Sequence, residues 1–430
     1  MSIDNFITDL LNIRKDQIEN IDTIKQSDGS FLIFITLTRD PHQKCPVCSG
    51  KTVVHDYRKR MLKHSILHDR KSFIVYRQRR YRCKECNNVF YEHNPFTSDS
   101  SRITIETKID ILKLLKDYHF TYSAVARLCN VPVQTVIRIF DKHVDIPRKA
   151  LPAVLSIDEK YFPSSDQDGI YMCILMDFFS GQIVDILPDR KKDYLIRYFS
   201  SIRNNDITNN TKEMSNVKYV SIDMYDTYKE IAKAFFPEAV ICADSFHVLE
   251  NLTKAFNNVR TRCRRETKDE TMEYLLYKFR YIFKHNINLD NTAKYNKRLG
   301  RFINYRGIIE LLFDRFPDLK AAYELKEAYI YFNSSATRET AEDGLNNMIR
   351  KFADCNIPEY VDFYNLLVNW HIEIINSFTV YNGKRINNSS IESRNKMIET
   401  LFFNANGFVN FRRTRNRILY CLNKNDTYKI

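Results

Sequence analysis

The spacing of apolar positions changes character several times along the chain. Residues 1–40 read as a short helix followed by a hairpin. The turn falls at Asp28-Gly29, and Phe31, Ile33 and Ile35 alternate after it. Between 103 and 145 the spacing becomes helical in three pieces: Ile109–Leu115, Tyr122–Cys129 and Asn130–Phe140. Two prolines, Pro147 and Pro152, then mark a linker. From 153 to about 260 short apolar runs alternate with helical stretches. The pattern predicts strands near 153–160, 169–177, 182–187, 217–223 and 239–243, and helices near 191–203, 226–236 and 245–265. Residues 266–385 carry long helical periodicity, few prolines and almost no strand signal, and a last helical block runs from about 389 to 423.

Composition narrows the class of protein. Hydrophobic residues make up 44% and charged residues 28% of the 430 positions, which suits a globular, soluble chain of several domains. The formal net charge of +13 favours a polyanionic partner. No apolar run reaches membrane-spanning length, and the start, Met1-Ser-Ile-Asp-Asn-Phe6, lacks the basic and apolar stretches of a secretory signal. A cytoplasmic location is therefore expected. Only 9 glycines occur and no Gly-rich phosphate loop is visible, which weakens a nucleotide-binding reading.

In a reducing compartment the ten cysteines need a reading other than disulfides. Cys45-Pro-Val-Cys48 and Cys83-Lys-Glu-Cys86 form two knuckles separated by 34 residues, the spacing of a closed, structural Zn²⁺ site. Ser49-Gly50 and Asn87-Asn88 follow them, as tight turns require. The other six cysteines are scattered, and His55, His64 and His68 lie off the knuckle pattern. Residues 41–90 hold 13 Lys and Arg against 3 Asp and Glu. Arg77, Arg79 and Arg80, interleaved with Tyr76 and Tyr81, are candidates for phosphate contact; the alternative is a solvated basic face.

The three helical pieces match a helix-turn-helix with Thr121 as an N-cap. Val131, Val136 and Ile139 would be buried, and Gln134, Thr135 and Arg138 would face the major groove; a plain three-helix bundle is the alternative.

Candidate chemistry lies further along. Asp158 and Asp223 end apolar runs, where a carboxylate is costly unless a cation or hydrogen bonds compensate it. With Glu392, on a later helix, they read as a site for paired Mg²⁺. Alternatives stand beside each. Asp158 and Glu159 point to opposite faces of a strand, and periodicity does not choose between them. Asp226 competes with Asp223, although Thr227 and Glu230 have capping-box spacing that makes it a helix-start residue. Glu399 is the fallback for Glu392, whose helix Ser389 or Ser390 would cap. Asp244 and His247, three apart, share a helical face and serve as auxiliary candidates. Trp370, the sole tryptophan, is either a core residue or a stacking platform for an unpaired base.

The order of the Cys-x-x-Cys pairs, the helix-turn-helix, Ser156-Ile-Asp-Glu159, Ser221-Ile-Asp-Met-Tyr225, Ala243-Asp-Ser-Phe-His-Val248 and Ser390-Ile-Glu-Ser-Arg-Asn395 resembles bacterial insertion-sequence transposases of the ISL-three type, over roughly residues 40–420. Tyr225, Ser245 and Ser393 depart from residues common in that family. The resemblance implies an α/β fold: an RNase H-like mixed sheet with a helical insertion, preceded by a zinc ribbon and a helix-turn-helix. The expected parts are 1–40, an N-terminal segment; 41–98, the zinc module; 103–148, the helix-turn-helix; 153–265, the first part of the catalytic core; 266–385, the insertion; and 386–423, the last core helices. It also implies Asp158, Asp223 and Glu392 as the metal-binding triad. In that reading Asp158 bridges two Mg²⁺ ions, for which Mn²⁺ can substitute, and Asp223 and Glu392 hold one each. Double-stranded DNA, as terminal inverted repeats and target, is the expected partner of a homo-oligomer, a dimer on DNA in the bacterial cytoplasm at the nucleoid. An RNase H-like nuclease or resolvase without strand transfer is one rival. A non-catalytic, sequence-specific DNA-binding regulator is the other.

Overall fold

The computed structural model describes Leu11 and residues 13–67, 70–98, 101–162, 171–386, 389–405 and 408–430, the side chains at 65–67, 389 and 390 excepted. The helix expected at the start and His68 fall outside these residues, apart from Leu11; Lys15–Gln17 form a single 3₁₀ turn. The chain divides into two compact units, residues up to Pro147 with Met397–Ile430, and Arg148–Lys396.

In the first unit, β1 (Ile18–Lys25) and β2 (Phe31–Leu37) form the expected hairpin. Its turn needs Gly29, whose φ of +83° suits no side chain well. The long strands β3 (Thr52–Leu67) and β4 (Arg70–Cys83) pair antiparallel, β4 joins β2 in parallel, and β5 (Val89–Tyr91) pairs with β4. Ile33, Ile35, Leu62, Ile74, Tyr76 and Phe96 bury one face of this sheet. Three helices follow: α1 (Ile105–Lys116), α2 (Tyr122–Leu128) and α3 (Val133–His143). Thr121 caps α2 as expected, its hydroxyl accepting from the Ala124 N–H at 3.0 Å. Asn130, at φ +51°, makes the turn between α2 and α3.

The second unit opens with β6 (Val154–Tyr161), β7 (Tyr171–Asp177) and β8 (Ile183–Leu187), an antiparallel meander. Then come α4 (Lys192–Asn209), β9 (Tyr219–Ile222), α5 (Asp226–Phe235), β10 (Val240–Ala243) and α6 (Ser245–Glu266). The sheet order is β10-β9-β6-β7-β8, with β6, β9 and β10 parallel. This mixed sheet with helical crossovers is RNase H-like, and the five strands lie where the apolar runs placed them.

The insertion begins with α7 (Glu270–Lys278), a 3₁₀ turn at Arg280–Phe283 and a hairpin of β11 (Lys294–Asn296) and β12 (Arg301–Ile303). Helices α8 (Tyr305–Arg315), α9 (Pro317–Ser335), α10 (Ala341–Asp354), α11 (Val361–Asn369) and α12 (His371–Asn376) follow, then a second small hairpin, β13 (Val380–Tyr381) with β14 (Lys384–Arg385). The two hairpins correct the nearly strand-free expectation. Strands of two or three residues built from Lys, Tyr, Asn and Arg are too short and too polar to register a period of two. The insertion has no core of its own. Leu155, Ile157 and Val220 of the sheet share one continuous cluster with Phe256, Leu312, Phe352 and Trp370. Asn376 fastens α12 to the sheet edge, its amide donating to the Ile241 carbonyl at 3.0 Å.

Helix α13 (Ser389–Ala405) begins in this unit; the capping role expected of Ser389 or Ser390 lies outside the described side chains. Helix α14 (Phe411–Leu422) was expected among the last core helices. It packs on the helix-turn-helix. The Tyr420 hydroxyl donates to the Leu112 carbonyl at 2.9 Å, and Arg417 Nη2 donates to the carbonyls of Asp117 and Phe120 at 3.2 and 2.7 Å.

Candidate active site

The four cysteines meet as their spacing required. Sγ atoms of Cys48 and Cys83, and of Cys48 and Cys86, are 3.4 Å apart, and those of Cys45 and Cys86 are 3.6 Å apart. A tetrahedral Zn²⁺ with bonds of about 2.3 Å sets its thiolates about 3.8 Å apart, so the cluster fits zinc. Both knuckles use the same backbone device: Ser49 and Asn87, each one residue past the second cysteine, have φ +58°. Backbone N–H groups of Cys48 and Val47 lower the Cys45 thiol to about 6, and those of Cys86 and Glu85 lower that of Cys83, whereas, against the Gly50 and Asn88 N–H groups, the neighbouring thiols hold Cys48 and Cys86 up.

The three arginines expected on phosphates divide. Arg77 is exposed and lies 4.0 Å over the Tyr57 ring. Arg80 is half-buried and pairs with Asp56 at 2.5 Å. Arg79 corrects the expectation: its side chain is 5% exposed and is held by Glu19 at 2.7 Å and Glu92 at 3.2 Å. It braces the sheet and has no face left for a phosphate. On α3, Gln134 and Arg138 are exposed and Thr135 is half-buried, while Val131, Val136 and Ile139 are buried. This is the division a recognition helix needs.

The acidic site is built by strand register. Ile157 on β6 pairs with Ile222 on β9, which pairs with Ala243 on β10. The next residues, Asp158, Asp223 and Asp244, therefore stand in a row where the parallel pairing of the three strands ends: Asp223 and Asp244 just past β9 and β10, and Asp158 midway along β6, which runs on to Tyr161 beside β7; the carboxyl-end edge is where α/β sheets place their ligands. Asp158 is 3% exposed and Asp244 fully buried. Asp244 caps α6 by accepting from the Phe246 N–H at 3.2 Å. One turn on, His247 Nε2 lies 3.7 Å from both Asp158 Oδ1 and Asp244 Oδ2. Burial works against its charge, but the carboxylates of Asp158, Asp244 and Asp223 lift its pKa to about 9. Asp223 is pushed up to about 7 by burial and then by Glu159 and Asp158.

Asn395 ties α13 to this row, its amide donating to Asp158 Oδ2 at 2.7 Å. Glu392, one turn earlier, has its pKa raised to about 7 by burial and then by the charge of Asp244. Its Oε1 is buried without a hydrogen-bond donor among the described residues. The alternatives fare differently. Asp226 is exposed at the first position of α5, and Glu399 is exposed. The Thr227–Glu230 capping box does not form, because Tyr225 takes the cap position and Glu230 pairs with Lys192. Glu159 is engaged by Arg190, whose guanidinium lies 4.1 Å over Tyr171 and 4.7 Å over Tyr225. Sequence reasoning missed Arg190; its only signal was the basic run Arg190–Lys192 before a helix.

Among the described residues only the four cysteines bring three or more candidate ligand atoms within 4.8 Å of one another; the carboxylates stand wider than that. Trp370 is corrected. It is 6% exposed in the core, with the Lys229 ammonium 4.6 Å over its ring, so it offers no face to a base. No helix among the described residues is long and apolar enough to cross a membrane.

Comparison with known families agrees with this layout. Residues 41–86 match a family described as the zinc-finger of transposase IS204/IS1001/IS1096/IS1165, and residues 92–144 match the helix-turn-helix domain of transposase family ISL3. No curated protein matches the chain. Residues 155–418, more than half of the sequence, match the transposase domain of the same family, the DDE type. With its ribbon, helix-turn-helix and acid-edged sheet in this order, the chain belongs to the ISL3 family of transposases.

Proposed function

We propose that this transposase cuts DNA at the ends of its element and joins the freed ends to target DNA, with Asp158, Asp223 and Glu392 as its catalytic carboxylates. The observation that carries the reading is the meeting of acids from three distant segments. Asp158 and Asp223 stand side by side by register, and the Asn395–Asp158 hydrogen bond brings the start of α13 to them. The donor set suits Mg²⁺: all ligands are carboxylate oxygens, two with raised pKa values, and one Glu392 oxygen lacks a donor. Asp158, Asp223 and Glu392 would together hold a pair of such ions. Such a pair supplies an activated nucleophile and stabilises the leaving oxygen.

The chain's own residues prepare that chemistry. Asn395 fixes the Asp158 carboxylate through one oxygen. Protonated His247, between Asp158 and Asp244, offsets the repulsion within the acidic row. Arg190 holds Glu159 by its carboxylate, so the neighbouring acid is occupied. The α3 face with Gln134, Thr135 and Arg138 would read the terminal repeat, and Arg77 would contact phosphate.

The test is cleavage and joining of labelled terminal-repeat DNA in Mg²⁺. Asp158→Ala, Asp223→Ala and Glu392→Ala should each abolish both steps and leave DNA binding nearly intact. An active Asp223→Ala beside a dead Asp226→Ala would show the wrong acid had been chosen. Cleavage without joined product would favour the nuclease or resolvase reading, and binding without either step the regulator.

A further inference from the structure

We propose that residues 277–302 of the insertion form a second, sequence-independent DNA surface, separate from the zinc ribbon and the helix-turn-helix. The proposal rests on the reading of this chain as a DNA-transacting enzyme. Between residues 278 and 301 there are seven Lys and Arg and a single acid, Asp290. All seven cations are exposed. Asp290 does not neutralise them, because Arg306 holds both its oxygens, at 2.5 and 2.7 Å. Among the described residues only Arg298 of the seven meets a carboxylate, Glu270 at 3.7 Å.

Aromatic rings stand among these charges. Tyr277 and Tyr295 are each 56% exposed and Phe302 is 72% exposed. Tyr295 and Phe302 are cross-strand partners of β11 and β12, with their ring centroids 5.4 Å apart edge to face. The hairpin is braced from its other side. Asn296 is 7% exposed, and its side-chain Oδ1 accepts from the N–H groups of Arg298 and Leu299 at 3.0 and 3.3 Å. Gly300, at φ +63°, completes the turn. The tip thus presents Lys297 and Arg298 on a fixed scaffold. A groove of about 400 Å³ runs beside it, lined by Lys278, Tyr281, Lys294, Tyr295 and Lys297 among others.

Cations that track phosphates and rings that lie against bases or sugars are the two components of sequence-tolerant nucleic-acid binding. The position suits a duplex that reaches the acidic row. Helix α6 carries His247 near its start and Arg264 near its end, and Arg264 lies 5.4 Å over the Tyr277 ring. The seventeen steps between them span about 26 Å at ~1.5 Å per residue. That is roughly seven or eight base pairs at ~3.4 Å each. The occupant is DNA, either the flank of the element's end or the target.

The test uses the full chain without added Mg²⁺, so that binding is read without cutting and the ribbon keeps its zinc. A benzoylphenylalanine photo-cross-linker replaces Phe302. One arm labels terminal-repeat DNA extended beyond the cut, and the other adds labelled unrelated duplex to the complex with unlabelled ends. Cross-linking in the first arm assigns the flank, in the second the target. Lys294→Glu/Lys297→Glu/Arg301→Glu should weaken DNA binding at least tenfold and reduce the salt slope by about 2.7, at ~0.9 per phosphate contact, with Tm unchanged. Tyr295→Ala/Phe302→Ala should weaken binding and leave the slope alone. No cross-link in either arm, with affinity and slope unaltered, overturns the proposal. Cross-links from a chain that never cuts would keep this surface and sink the transposase reading; cutting without cross-links would do the reverse.

Discussion

Neighbouring arginines in one basic run do different work, and burial decides which. Arg79→Ala would leave the Glu92 carboxylate, whose side chain is 10% exposed, without its cation and with only the Tyr76 hydroxyl and a backbone N–H as donors, and Glu19 would lose its partner. Breaking one side of such a buried pair costs about 3–5 kcal/mol. The expected outcome is a lower Tm for the ribbon unit, with any DNA loss tracking unfolding. Arg77→Ala should leave Tm within a degree and weaken binding to all sequences alike, as electrophoretic titration would record. Equal Tm for the two variants would refute this division. Charge and tyrosine interleaving made the run legible as basic. It did not show which side faced the core, because the β3–β4 register carries that information.

The acids give a pH test of the same site. Asp223 and Glu392 ionise near 4 when unfolded and at about 7 when folded. Between those values the folded chain binds more protons, so stability falls as pH rises. His247, lifted from 6.5 to about 9, contributes stability that is full below about 6.5 and lost through 9, which extends the fall. In chelator, Tm of the Arg148–Lys396 unit should drop by several degrees from pH 5 to pH 8, and Mg²⁺ should restore more at pH 8 than at pH 5. A flat calorimetric profile would contradict the site's electrostatics. Asp223→Asn should flatten part of it.

At the element scale, α14 is the helix whose partner the sequence concealed. Its apolar spacing was legible as helix. Its partners are about 300 residues away, and nothing local states that. Tyr420 is 2% exposed, stands edge to face with Phe140 at 6.0 Å, and donates to α1. Tyr420→Ala should destabilise the helix-turn-helix by about 3 kcal/mol, in the range of large-to-small core losses. Tyr420→Phe removes only the hydrogen bond and should cost about 1 kcal/mol. Removing α14 from the full chain should abolish specific end binding although Gln134, Thr135 and Arg138 are untouched. Retained specificity in the truncated chain would show that the three N-terminal helices suffice. The five sheet strands, by contrast, were read directly. Each is a short apolar run bounded by polar residues, and the acids within or just after three of them, Asp158, Asp223 and Asp244, mark the candidate site. The β11–β12 hairpin had neither advantage.

Across the whole molecule, zinc and the carboxylates serve different units, so their losses should separate. The two compact units have separate hydrophobic clusters, Ile33, Ile35 and Tyr76 in one and the large sheet-and-insertion cluster in the other. The ribbon's four thiols are drawn together within reach of one ion, and structural zinc contributes folding energy directly. Purified protein should therefore carry one Zn²⁺ per chain, and Cys45→Ser or Cys83→Ser should lose it. Strong chelation should lower the melting transition of the ribbon unit and leave that of Arg148–Lys396 in place, resolved by calorimetry and by circular dichroism. DNA binding should weaken in step with zinc release, because the basic β3–β4 ribbon no longer holds its register. Protein that contains no zinc after metal-free preparation, yet melts and binds DNA as before, would refute the metal's structural role. A single transition shifted as a whole by chelation would instead show that the units fold as one.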